Sequence, residues 1–320
     1  MMDYELLIQH GNTTYQPIIQ EGVQWETERK GVPGKLTFKV IKDEIINFTE
    51  GDAVRLRVDG EKIFYGFVFQ KKRDKEGIIS VTAYDQLRYL KNKDTYVYSN
   101  KTASEVIQMI AADFNLQYGT LEDTKFKIES RVEDNKTLFD IIQTALDLTL
   151  KSKNELYVLY DDFGKLTLKN VGSMKLGILI DEETGENFDY TSSIDGETYN
   201  KIKLAYENEE SGKREIYIAQ DSSKMNQWGV LQYFETIDES VNGKAKADAL
   251  LKLYNQKTRK LEIKNVFGDT RVRGGSLIPI SLNLGDIVAN SFLMVEKVQH
   301  TFDESFHSMD LTLRGGEFIA

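Results

Sequence analysis

Few side chains in this sequence are equipped for chemistry. The 320 residues include no cysteine and only three histidines, His10, His300 and His307. Thiolate nucleophiles, thiolate metal sites and disulfides are therefore excluded. His300 and His307 flank Asp303-Glu304, a grouping that a histidine–carboxylate metal site or an acid–base pair would use. The same segment reads as a polar turn between two strands, where charged residues are expected anyway. Asp161-Asp162 has the same double reading and fits a hairpin turn. The acidic run Asp181 to Asp189 lacks the alternating oxygens and closing glutamate of a calcium loop, and reads as a solvated linker. Gly31-Val32-Pro33-Gly34-Lys35 has the wrong spacing for a phosphate loop, with Leu36 where a metal-binding hydroxyl would stand. The expectation is no catalytic residue, no metal and no cofactor.

One run points to contact instead. In Ile63-Phe64-Tyr65-Gly66-Phe67-Val68-Phe69, strand periodicity puts Ile63, Tyr65, Phe67 and Phe69 on one face and Phe64 and Val68 on the other. Both faces are apolar, so both should be covered. The first face serves either a sandwich core or a neighbouring subunit. Ile63, Tyr65, Phe67 and Phe69 are accordingly the candidate subunit-interface residues.

The elements that position this run are mostly strands. Lys35–Val40 alternates polar with apolar residues. Ala53–Val58 and Lys62–Phe69 flank Asp59-Gly60, whose positive φ preference makes a tight hairpin, and Ile78–Tyr84 follows. Near residue 100 the period changes. Thr102-Ala103-Ser104-Glu105 is a capping box, with Val106, Ile107, Ile110, Ala111 and Phe114 on one helical face. A second helix begins near Thr137, then a hairpin spans Leu156–Leu168. Strands resume at Asn200–Tyr206 and Arg214–Ala219. A helix is expected at Ala245–Lys257, and the last strands are Phe292–Val298 and Ser308–Leu313. Gly51-Asp52-Ala53-Val54 is echoed by Gly285-Asp286-Ile287-Val288, each opening a segment of about 30 residues with the same order of strand, charged turn and strand.

Composition sets the outer limits. Forty per cent of residues are hydrophobic and 29% charged, with 16 Tyr and 16 Phe, as in a soluble protein rich in pleated surface. The formal net charge of −10 argues against gripping nucleic acid. The start of the sequence has no basic region followed by an apolar core, and no apolar run approaches the roughly 18 residues of a membrane span. A protein made and kept in a cytoplasm, unless something larger carries it out, is expected.

Several segments together resemble the XkdQ/YqbQ-like tail proteins, relatives of late control protein D and of the central hub of contractile phage tails. They are Gly51–Val54, Asp59–Gly66, Tyr84-Asp85-Gln86-Leu87-Arg88-Tyr89-Leu90, Thr102–Ile107, Lys136–Ile142, Gly164-Lys165-Leu166 and Gly285–Val288. The resemblance spans nearly the whole chain, through an ordered set rather than one specific motif. It implies a β-rich α+β fold, with two small β-barrel-like tube domains flanking an α+β middle domain. The boundaries expected are residues 1–95 for the first tube domain, 96–175 for the middle domain, 176–195 for an acidic linker and 196–320 for the second tube domain with one helix. It implies a homotrimer around a central channel, whose six tube domains meet a hexameric tail tube above and a trimeric spike below, among other baseplate proteins. The place implied is the baseplate of a phage tail or tail-like particle such as a bacteriocin, assembled in the bacterial cytoplasm, with no membrane and no specific nucleic acid bound. Ring closure would leave no sheet edge free to aggregate. Two other readings stand beside this one: a tail-tip cell-wall hydrolase, which needs a carboxylate pair or histidine cluster in a cleft, and a glycan-binding module, which needs exposed aromatic platforms such as Trp25 or Trp228.

Overall fold

A computed structural model describes residues 3–184, 187–196, 198–208, 212–237, 241–303 and 306–315. The described residues form two compact units, one drawn from 3–188 with 262–315 and one from 189–261. This division cuts through the expected second tube domain: 262–315 belong with the start of the chain, and 189–261 stand apart.

The first unit opens with β1 (Tyr4–His10), β2 (Thr13–Tyr15), β3 (Val23–Glu28), β4 (Lys35–Ile41), β5 (Ala53–Val58), β6 (Glu61–Arg73) and β7 (Ile78–Tyr84). Asp59 and Gly60 adopt φ of 49° and 81°, so the β5–β6 turn is the one its sequence demands. Leu36, Phe38, Val40, Val54, Leu56, Phe64, Val68, Val81 and Ala83 fill the core beneath, the inward half of each alternating strand.

A 3-10 turn at Gln86–Lys91 leads to β8 (Lys93–Lys101), α1 (Ala103–Asp113), β9 (Tyr118–Leu121), β10 (Ile128–Thr137), α2 (Leu138–Lys153), β11 (Tyr157–Asp161) and β12 (Leu166–Asn170). The capping box forms as expected: the Glu105 N–H donates to Thr102 Oγ1 at 3.2 Å, and the Thr102 N–H donates to Glu105 Oε2 at 2.6 Å. Val106, Ile107, Ile110 and Ala111 pack with Leu138, Ile141, Ile142 and Ala145 and with Leu166 and Leu168. This is the α+β insert.

The expected linker is partly strand. In β13 (Ile180–Asp181) the two residues pair in parallel with Ile280 and Ser281, and β14 (Asn187–Ser193) follows. An acidic run can be strand where its backbone finds a ladder, because pairing uses main-chain groups. The second unit then contains β15 (Lys201–Asn208), β16 (Lys213–Gln220), α3 (Ser222–Trp228), β17 (Gln232–Thr236) and α4 (Gly243–Tyr254). Its sheet runs β16-β15-β17, with Ile202, Leu204, Ala219, Ile237 and Ala247 in the core. The chain leaves this unit along β18 (Thr258–Phe267) and ends with β19 (Leu277–Asn283), β20 (Val288–Phe302) and β21 (His307–Arg314).

Among the described residues the large sheet is an open path, β21-β20-β3-β4-β7-β6-β5-β1-β2, with β18 beside β21, β14 beside β18, and β19 on β20. Its centre joins the two ends of the sequence. Lys297 to Phe302 of β20 pair antiparallel with Glu28 to Val23 of β3. The Arg29 guanidinium adds two bonds to the Glu296 carboxylate, 2.6 and 3.0 Å.

The echo read from the sequence is real in topology but one strand out of register. The long strand β6 pairs with β5 up to Phe67 and with β7 from Phe67 onward. The long strand β20 pairs with β19 up to Met294 and with β21 from Met294 onward. Each carries a bulge one residue past the switch: between Val68 and Gln70 opposite Ala83 and Thr82, and between Val295 and Lys297 opposite Leu313 and Thr312. The Gly51 N–H donates to the Val68 carbonyl at 2.8 Å, and the Gly275 N–H donates to the Val295 carbonyl at 2.7 Å. Their φ angles are 92° and 96°. Gly51-Asp52 therefore corresponds to Gly275-Ser276, while Gly285 (φ 91°) occupies the later hairpin turn, the place of Asp59-Gly60.

Candidate assembly surface

The β6 run alternates as expected from Phe64 to Phe69, with one correction at its start. Leu56 lies opposite Phe64 while Arg57 lies opposite Lys62, so Ile63 is the extra residue of a bulge. A bulge breaks the side-chain period, and Ile63 joins Phe64 in the core, 5% and 3% exposed. Tyr65, Phe67 and Phe69 remain on one half-buried face.

Much of that face is covered from within the chain. Tyr65 meets Phe67 at 5.7 Å and Phe163 at 5.8 Å between ring centroids. Phe67 meets Tyr89 at 6.2 Å. Phe69 meets Tyr84 at 5.6 Å and Tyr89 at 6.0 Å. Arg88 lies over Phe69, and Lys62 and Arg57 lie over Phe163. The result is an aromatic strip with cationic edges, fixed by quadrupole and cation–π attraction. Phe163 and Gly164 reach it by positive φ angles of 50° and 88° at the β11–β12 turn.

Beside the strip lies a buried carboxyl pair, Asp85 and Asp161, of which only Asp161 stands in a sequence context that marks a turn. Asp85 caps the 3-10 turn, accepting from the Leu87 N–H at 3.0 Å and from the Gly34 N–H at 2.9 Å. Asp161 accepts from the Gly164 N–H at 2.7 Å, the turn role expected, and also from Gln86 Nε2 at 3.0 Å. Burial pushes the Asp161 carboxyl up to about 6. Burial and then the Asp161 charge push Asp85 well above the carboxylate range. Arg273 stacks on Tyr160 at 4.3 Å and donates to the Asp161 carbonyl at 3.1 Å. The space they line is about 20 Å³, room for roughly one water. Gly34 of the expected non-phosphate loop belongs here: a Cβ on it would lie 2.4 Å from Asp85 Oδ2.

His300, which is buried, and His307, which is half-buried, form a second group. His300 Nδ1 and His307 Nε2 are 2.9 Å apart, and His300 Nε2 lies 2.9 Å from the Val272 carbonyl. Trp25 stacks on His300 at 4.8 Å, and Phe302 on His307 at 4.4 Å. Burial holds His300 down at about 3 and His307 at about 4, so both are neutral over the physiological range. Asp303 ends the strand, its N–H donating to the Phe306 carbonyl, and Glu304 lies outside the described residues. Among the described residues no group of three or more His, Asp or Glu is placed to hold a metal. No helix among them is long and apolar enough to cross a membrane.

The YQBQ-like family model matches residues 23–314. The chain is 31% identical over 311 residues to the uncharacterized protein YqbQ of Bacillus subtilis strain 168, covering 93% of each. It is 30% identical over 313 residues to the phage-like element PBSX protein XkdQ of the same strain, covering 94% of each. Among solved structures, the 43 kDa tail protein of prophage MuSo2 from Shewanella oneidensis superposes with a TM-score of 0.71 at 12% identity, covering 97% of this chain and 98% of that one.

Proposed function

The chain belongs to the YQBQ-like family, and from that premise we propose that it is a structural protein of a phage-type contractile tail or bacteriocin, the hub of its baseplate. The hub is a homotrimer that adapts a hexameric tail tube to a trimeric spike around a central channel. The relatives' names supply the tail context: a phage-like element protein and a prophage tail protein. The observation that carries the adaptor reading is the repeat. β5-β6-β7 and β19-β20-β21 share partner switch, bulge and glycine contact, so three copies present six similar modules. Threefold packing then imitates sixfold, as a trimer under a hexamer requires. The exposed rims of Tyr65, Phe67 and Phe69 remain candidate contacts for a neighbouring subunit. Assembly takes place in the bacterial cytoplasm, with tube, spike and other baseplate proteins as partners. With −10 per chain the ring is acidic, which keeps any passing DNA from adhering.

A hydrolase reading finds little support, because the carboxyl pair lines a space of about one water, His300 is buried and His307 is half-buried. A glycan-binding reading needs open aromatic platforms; Trp25 is 3% exposed, and Trp228 is half-buried with the Lys224 ammonium over its ring. The test is the mass of the full-length chain co-expressed with tube and spike components. Three chains per complex is the expected result; a strict monomer with those components present removes the reading. Loss of cell-wall lysis by the particle on mutating Asp303, Glu304 or His307 would revive the hydrolase.

A further inference from the structure

The repeat also shows where copies of the chain would join. Past its bulge, each long strand has its meander's last strand on one side, β7 for β6 and β21 for β20. On its other side, β20 receives β3 through six cross-strand pairs, Lys297↔Glu28 to Phe302↔Val23, and the Glu296 carbonyl accepts the Arg29 N–H at 2.8 Å. The matching stretch of β6 is Phe69–Arg73. Among the described residues, no strand lies against that edge of β6: β5 pairs no further than Phe67.

We propose that this edge of β6 receives β14 of a second copy of the chain, as the matching edge of β20 receives β3 within one copy. The proposal rests on the trimer reading and names its joint. β14 is the strand to expect because it stands beside β18 as β3 stands beside β4, and β18 and β4 each flank the last strand of a meander. Asn187, Phe188, Asp189, Thr191 and Ser192 of β14 are exposed, as are Gln70, Lys72 and Arg73 of β6. Such pairing satisfies main-chain donors and acceptors along both edges.

Opposite charges meet at both joints. Within the chain, Glu26 and Glu28 of the entering strand lie 2.8 and 3.6 Å from Lys297 Nζ, and Arg29 meets Glu296 in the opposite sense. Between copies, β14 brings Asp189 to an edge carrying Lys72 and Arg73. Lys71 is already engaged, its ammonium donating to the Phe48 carbonyl. Lysines on an edge strand are also a means of keeping a monomer from pairing, so the joint must be tested directly.

The absence of native cysteine makes that test clean. Lys72→Cys is combined in turn with Phe188→Cys, Asp189→Cys, Thr191→Cys and Ser192→Cys, all at exposed positions. Each full-length variant is co-expressed with tube and spike components and treated with copper–phenanthroline. Facing residues on paired strands sit about 4.5–5.5 Å apart, within the span of a disulfide. Covalent two- and three-chain species are expected for at least one combination and for no single-cysteine control. A complex of three chains by mass, in which no combination links, overturns the β6–β14 joint and leaves the trimer standing. A monomer overturns both.

Discussion

Gly34 and Asp85 show how much one absent methyl group can decide. Because a Cβ at Gly34 would lie 2.4 Å from the Asp85 carboxylate, Gly34→Ala should destabilise the chain by about 1–3 kcal/mol, read as a lower melting temperature. Titration gives two opposed predictions. Asp161 has its pKa raised in the fold to about 6. Its contribution is therefore full below the unfolded value near 4 and is lost as pH rises through about 6. Asp161→Asn should flatten that decline in a series of melts from pH 4 to 7. His300 has its pKa lowered to about 3. Its contribution is present above about 6.5 and is lost as pH falls toward 3, on the order of a few kcal/mol. His300→Phe should reduce the loss of stability in acid, measured on the same melts. Of these residues the sequence displayed the histidines and Asp161, but as turn residues. Asp85 and Gly34 are 51 positions apart, and only the folded β4–β7 pairing brings them together, so neither spacing nor composition could link them.

At the scale of elements, sequence periodicity located what is local. The β5–β6 hairpin, the capping box of α1 and the β11–β12 hairpin depend on neighbours within a few residues, and all three were legible. β13 and β14 were not, since their ladders are made with partners far along the chain and their acidic residues resemble a linker. The echo was half legible: glycine with aspartate marks a strand entrance, and there are two such entrances per repeat. The true correspondence yields a prediction. Gly51 and Gly275 share a positive φ, which costs a non-glycine residue on the order of 1 kcal/mol or more. Only Gly275 is also crowded, a Cβ there lying 2.8 Å from Val158. Gly275→Ala should lower the denaturation midpoint clearly more than Gly51→Ala. Equal losses would mean that the Val158 side chain yields freely.

At the scale of the whole molecule, class and family were readable from an ordered set of weak motifs, whereas the division into units was not. Strand order along a sheet that joins residue 23 to residue 302 is set by tertiary pairing, which a linear reading cannot follow. The excursion of residues 189–261 into a separate unit interrupts the second repeat, which hid its likeness to the first.

The Arg29–Glu296 pair has a consequence for synthesis. Its residues lie 267 positions apart, so β3 emerges from the ribosome long before β20 exists to cover it. At about 5–20 residues per second the wait is roughly a quarter of a minute to a minute. Throughout that interval the β20-facing edge of β3 is open to other nascent chains on the same message. A chaperone for the unfinished chain, or slow initiation that keeps ribosomes apart, would lower the chance of such pairing.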